Sequence, residues 1–151
     1  MIKDILHQFR VASRQYSDAS LFMHEAIARK AGLSSADHKY LGLILQYDSI
    51  TAGDISKLTG LTTGAVTGLI DRLEKKELLE RQFTKEDRRK VLIIPNLKNS
   101  MKLLGSVFEE LQQKTTQLIS TFSEAEIKTI ERYFKGATAI MQETTTDLDN
   151  K

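Results

Sequence analysis

Between Thr51 and Pro95 the chain reads TAGDISKLTG, LTTGAVTGLIDRLEKKELLER and QFTKEDRRKVLIIP, and no other stretch limits the possible folds as much. In the middle piece, Leu61, Ala65, Leu69 and Leu73 recur at helical spacing, and Val66 and Ile70 widen the face, so one side of a helix is committed to a core. The opposite side carries Thr62, Thr63, Gly64, Thr67, Gly68, Asp71 and Arg72, which are small or polar. Gly64 and Gly68 each cost about 1 kcal/mol of helix propensity relative to Ala. Two such costs on one polar face point to a surface that another molecule approaches closely. Close packing against a second helix is the rival reading.

The residues on either side give this helix a context. Thr51-x-x-Asp54 is a variant capping box, with Asp in place of Glu or Gln, and opens a shorter helix whose Ile55 and Leu58 point to the core. Gly60 permits a tight turn, and Thr62 or Thr63 caps the second helix, which runs to about Lys76. Leu78, Leu79 and Phe83 start a strand, and Val91–Ile94, rich in β-branched residues, is its partner. The connection Thr84–Arg89 is long for a hairpin and contains neither Gly nor Pro, so a mobile tip is expected. Two helices joined by a glycine turn and followed by a hairpin outline a winged helix, in which the second helix faces the DNA major groove.

Helices flank this region. Ile2, Ile5, Leu6, Phe9, Ala12, Tyr16, Ala19, Met23, Ala26 and Ile27 mark one amphipathic helix over 2–31, stopped by Gly32. A stripe that long exceeds what one small domain covers, which suggests that a partner chain buries part of it. Ser34 or Ser35 caps the next helix, apolar on several sides and ending at Asp48-Ser49, and Ile50 can join the hairpin as a short strand. After Pro95, Asn96 caps a helix bearing Leu97, Met101, Leu104, Val107, Phe108, Leu111, Leu118 and Ile119. Ser123-x-x-Glu126 is a full capping box for a last helix with Ile127, Ile130, Phe134, Ala137, Ile140 and Met141, and the polar tail ETTTDLDNK is expected to fray. The fold class is thus mainly α, an α+β winged helix with about six helices and a small hairpin.

Charge is informative through its placement, since the formal net charge is only +2. Arg81, Lys85, Arg88, Arg89 and Lys90 face only Glu86 and Asp87 within Arg81–Lys90, so positive charge gathers where a phosphate backbone can use it. The plain alternative is a solvated turn. There is no cysteine, hence no disulfide framework or thiol switch. No apolar run nears the ~20 residues that cross a bilayer, and no signal-peptide core opens the chain; a cytoplasmic protein is expected. His7, His24 and His38 are scattered and form no metal-ligand spacing, no Gly-rich phosphate loop or nucleophile elbow is present, and Asp71, Glu74 and Glu77 read as a solvated helix face. We therefore expect no metal, no cofactor and no enzyme activity.

The segment from Leu61 to Arg81, followed by Asp87-Arg88-Arg89, resembles the MarR family of winged helix-turn-helix transcriptional regulators. The likeness covers nearly the whole chain. It implies one domain over residues 1–151, with 1–33 and 97–145 as interlocking dimerisation helices and 34–95 as the DNA-binding region. By position it places Thr62, Thr63, Gly64 and Thr67 in the major groove and Arg72 and Lys75 nearer the phosphates. Asp87 would orient Arg89, and Arg88 or Arg89 would enter the minor groove, where a planar guanidinium suits the narrow electronegative cleft. The chain departs from the family pattern at Glu77, where a glycine is usual, so a local change in the helix exit is expected, and at Pro95–Asn99, where the family has Leu-Thr and then a glycine.

The resemblance implies a ligand-responsive repressor that binds double-stranded DNA at a pseudo-palindromic operator as a homodimer. In the family, small aromatic or anionic effectors bind between the dimerisation helices and the winged helix. Tyr16, Phe22, His24, Tyr40 and Tyr47 are candidates to line such a cleft, though the same residues serve equally as core and interface. The competing class is a winged helix used for protein–protein contact without DNA. A small helical enzyme would require a nucleophile or cofactor loop that the sequence lacks.

Overall fold

The computed structural model describes residues 1–83 and 91–150. Its elements follow in order as α1 (Ile2–Ala31), α2 (Ser35–Ile44), β1 (Ile50–Thr51), α3 (Ala52–Thr59), α4 (Thr63–Lys75), β2 (Leu79–Phe83), β3 (Val91–Pro95), α5 (Leu97–Ile119) and α6 (Glu124–Asp149). Six helices and one antiparallel sheet of order β1-β3-β2 make the winged-helix architecture among the described residues. The chain divides into two compact units, Met1–Gly105 and Ser106–Lys151, with the division inside α5.

The first unit holds the core. Leu41 and Ile44 of α2, Ile55 of α3, Val66, Leu69, Ile70 and Leu73 of α4 and Ile93 of β3 are its largest fully buried side chains. Local chemistry sets most boundaries. Gly32 adopts φ 68° and closes α1, its amide returning to Ala28 and Arg29 carbonyls. Ser34 Oγ accepts from Asp37 N at 3.0 Å and starts α2. Thr51 and Asp54 complete both halves of the capping box of α3, and Ser123 and Glu126 do the same for α6. Asn96 Oδ1 accepts from Asn99 N at 3.0 Å and caps α5.

Ile50 does join the sheet: it pairs with Ile93, and Thr51 pairs with Leu92. Across the hairpin, Leu79 pairs with Pro95 and Phe83 with Val91. Four expectations need correction. Leu58 is exposed rather than directed to the core, because the short α3 buries only the side of the helix that carries Ile55. Helix α2 ends at Ile44 rather than Asp48-Ser49, because Gln46 N turns to Leu43 O and Tyr47 N to Ile44 O, tighter bonds that wind the helix out. Ala65 is exposed rather than in the apolar stripe, because its angular position falls outside the arc that Val66, Leu69, Ile70 and Leu73 bury. The tail does not fray as expected: α6 continues to Asp149, and Thr144, Thr145 and Thr146 donate their hydroxyls to the carbonyls four residues back.

Much of the apolar surface on the long helices stays open in a single chain. In α1 only Ile27 and Ala28 are buried, and in α6 no residue is. Ile2, Ile5, Leu6 and Phe9 on α1, Leu118 and Ile119 on α5, and Phe134, Ile140 and Met141 on α6 are all exposed.

Candidate nucleic-acid interface

The turn before α4 is stitched by side chains. Gly60 takes φ 71°, Ser56 Oγ donates to Leu61 O at 2.6 Å, and Thr59 Oγ1 donates to Ile55 O while accepting from Leu61 N at 3.2 Å. These bonds fix the angle at which α4 leaves α3. Thr62 is the cap, its Oγ1 accepting from Ala65 N at 3.3 Å. From there Val66, Leu69, Ile70 and Leu73 are buried, while Thr62, Thr63, Gly64, Ala65, Thr67, Asp71, Arg72 and Lys75 are exposed. The residues expected to face DNA on this helix are therefore all exposed. The two glycines differ. A Cβ on Gly64 would meet open space, whereas one on Gly68 would lie 3.2 Å from Arg72 Nη1. Gly68 thus makes room for the arginine rather than for an outside molecule.

Arg72 is held in place. Its Nε donates to Asp37 Oδ1 and Oδ2 at 3.2 and 3.0 Å, and its Nη2 donates to Oδ1 at 2.8 Å. Asp37 is buried at 4% exposure, so this ion pair ties α4 to the start of α2. The hydrogen bond to the carboxylate raises the guanidinium above its ordinary pKa. One edge of the guanidinium remains in solvent, since the side chain is half exposed. Arg81 is committed in a similar way. It pairs with Asp71 and Glu74 on α4, and its own amide donates to Glu74 Oε1 at 3.0 Å. Part of the positive charge assigned to the hairpin is therefore neutralised within the fold, and Asp71 and Glu74 are an arginine clamp rather than a merely solvated face.

The exit of α4 keeps its geometry without the glycine. Glu77 adopts φ 57°, Glu77 N donates to Glu74 O at 2.8 Å and Leu78 N to Leu73 O at 3.0 Å, the paired closure of a Schellman motif. Asn99 Nδ2 of α5 supports it by donating to Glu77 O at 3.0 Å. Asn96 N donates to Leu78 O at 2.9 Å, so α5 anchors the start of β2 from both residues. The hairpin tip, with Asp87, Arg88 and Arg89, lies outside the described residues.

The five candidate effector residues differ in their surroundings. Tyr16, Phe22 and Tyr47 are exposed, and Tyr40 is half-buried with Lys39 Nζ 5.3 Å from its ring centre. His24 meets a residue outside the set: its Nδ1 lies 3.1 Å from Nε2 of His38, linking α1 to α2. Burial, and then the nearby His24, push the His38 imidazole below its usual pKa. A shallow, solvent-open surface along α6 carries Arg132, Tyr133 and Met141 and none of the five. No group of three or more metal-ligating side chains meets among the described residues. Sequence reasoning missed Asp37 and His38. Nothing local to Asp37 signals a partner 35 residues away.

Comparison with known proteins agrees with this geometry. The MarR family model matches residues 33–91. YcgE of Bacillus subtilis, an uncharacterized HTH-type transcriptional regulator, is 35% identical over 130 residues, spanning 86% of this chain and 84% of that protein. MhqR of Bacillus subtilis, an HTH-type transcriptional regulator, is 30% identical over 128 residues, spanning 85% and 87%. Among solved structures, Streptococcus pneumoniae FabT in complex with DNA superposes with a TM-score of 0.73 at 20% identity, covering 92% of this chain and 99% of that one. A capped helix with one buried and one open face, a hairpin behind it and these relatives lead to one conclusion: the chain belongs to the MarR family of winged helix-turn-helix transcriptional regulators.

Proposed function

We propose that the protein is a cytoplasmic, ligand-responsive repressor that binds a pseudo-palindromic operator as a homodimer. The observation that carries this reading is α4: its inner face is buried, its outer face is small and open, and Asp37, Arg81 and the Ser56–Thr59 turn hold it rigidly. A DNA complex has been solved for FabT, which shares the fold. Thr62, Thr63, Gly64 and Thr67 enter the major groove, and Lys75 and the free edge of Arg72 lie toward phosphates. Asp87 orients Arg89, and Arg88 or Arg89 reaches the minor groove. The open apolar faces of α1, α5 and α6 favour a second copy as the covering partner. Two recognition helices then address half-sites about one helical turn, ~10 bp, apart. An aromatic or anionic effector among Tyr16, Phe22, His24, Tyr40 and Tyr47 acts by favouring a dimer wrongly spaced for both half-sites.

The test is a gel shift on the region upstream of the protein's own gene, together with sedimentation at working concentration. A salt-sensitive shift by a dimer is expected. Weak, salt-insensitive association with every duplex would instead favour the protein–protein role.

A further inference from the structure

The first two turns of α4 carry no side chain that makes a bidentate contact to guanine or adenine. Their exposed residues are Thr62, Thr63, Gly64, Ala65 and Thr67, without an arginine, lysine, asparagine or glutamine among them. Those four types make the bidentate contacts to G and A edges in the major groove. Thr67 spends its hydroxyl proton on Thr63 O at 3.0 Å, so toward a base it offers its methyl group and, for hydrogen bonding, an acceptor oxygen alone. Thr62 uses its oxygen as the helix cap. Arg72, the nearest long side chain on this surface, is turned onto buried Asp37. Ala65 adds a second outward methyl, and the open space around Gly64 lets the helix backbone sit deep enough for such short groups to reach.

We propose that this helix selects its operator through thymine 5-methyl groups, with Thr67 and Ala65 as the specificity-determining residues and A·T-rich half-sites as the ligand class. Thymine alone among the unmodified bases presents a methyl in the major groove, and apolar contact from Ala or the Thr methyl is its matching reader. The inference rests on the DNA-binding reading of α4 and adds what that surface prefers.

The experiment starts by selecting bound duplexes from a random pool with the full-length wild-type protein. Selected half-sites are then resynthesised with deoxyuridine replacing thymine one position at a time, and affinities are read by fluorescence anisotropy. Loss of one buried methyl contact is expected to weaken binding about fourfold at one or more thymines. Thr67→Ser keeps the hydroxyl and removes the methyl, so it should lose a similar factor on the thymine duplex and nothing more on the matching deoxyuridine duplex. Thr67→Val should stay within about twofold of wild type by the same methyl accounting. Specific binding that is indifferent to deoxyuridine at every position, or half-sites rich in G·C, would overturn the inference while leaving DNA binding intact. Failure to enrich any duplex would overturn the DNA-binding reading itself.

Discussion

Glu77 offers a measurable test of how the recognition helix ends. A side chain with a Cβ held at φ 57° carries a steric cost of about 1–2 kcal/mol. Glycine removes that cost but gives back about 0.5–1 kcal/mol through the greater freedom of the unfolded chain. The motif's own bonds, Glu77 N to Glu74 O, Leu78 N to Leu73 O and Asn99 Nδ2 to Glu77 O, involve backbone atoms of residue 77 or none of it, so they survive the change. Glu77→Gly should therefore stabilise the protein by about 0.5–1 kcal/mol, or raise Tm by about 1–4 °C for a chain of this size. Glu77→Ala should be close to neutral because it keeps the Cβ, and Glu77→Val should destabilise because branching at Cβ fits this backbone worst. Urea denaturation at fixed protein concentration, with unchanged m-values, reads all three. A glycine variant no more stable than the alanine variant would refute the argument that backbone strain is stored at this exit.

Other residues yield tests of their own. Asp37→Ala removes charge-assisted hydrogen bonds from a buried carboxylate and a favourable charge at the start of α2; a loss of about 1–3 kcal/mol is expected in the same denaturation assay. Arg89→Ala should lower the slope of log K against log salt by about 0.9 if that side chain meets one phosphate. Arg81→Ala should leave that slope unchanged, since Asp71 and Glu74 already take up its charge; equal slopes for the two variants would count against this division. His38 is held below the ordinary value of 6.5 in the folded chain, so the neutral ring is the stabilised form. Its contribution is complete above 6.5 and is lost as pH falls through the lower folded value, because protons then bind the unfolded chain more readily. The denaturation midpoint should drop on acidification below 6.5, and His38→Gln should flatten part of that drop.

The features that could be read from the sequence are those whose cause lies within four residues. The capping boxes at Thr51–Asp54 and Ser123–Glu126, the left-handed glycines at 32 and 60 and the buried stripe of Val66, Leu69, Ile70 and Leu73 all follow from local spacing, and each is found where expected. The open face of α4 was legible for the same reason, although Ala65 was assigned to the wrong side. The ion pairs were not. Asp37 with Arg72 and Arg81 with Asp71 join residues from separate elements, and only the packing of α2, α4 and β2 makes them neighbours. Gly68 illustrates the limit: its spacing suggested room for a ligand, whereas its actual neighbour is the Arg72 guanidinium.

Thr51 is both the last paired residue of β1 and the residue whose hydroxyl begins α3. With no spacer between those roles, the pairing of Thr51 with Leu92 also settles where the next helix starts, so one residue serves as the common hinge pin of the sheet and the helix pair.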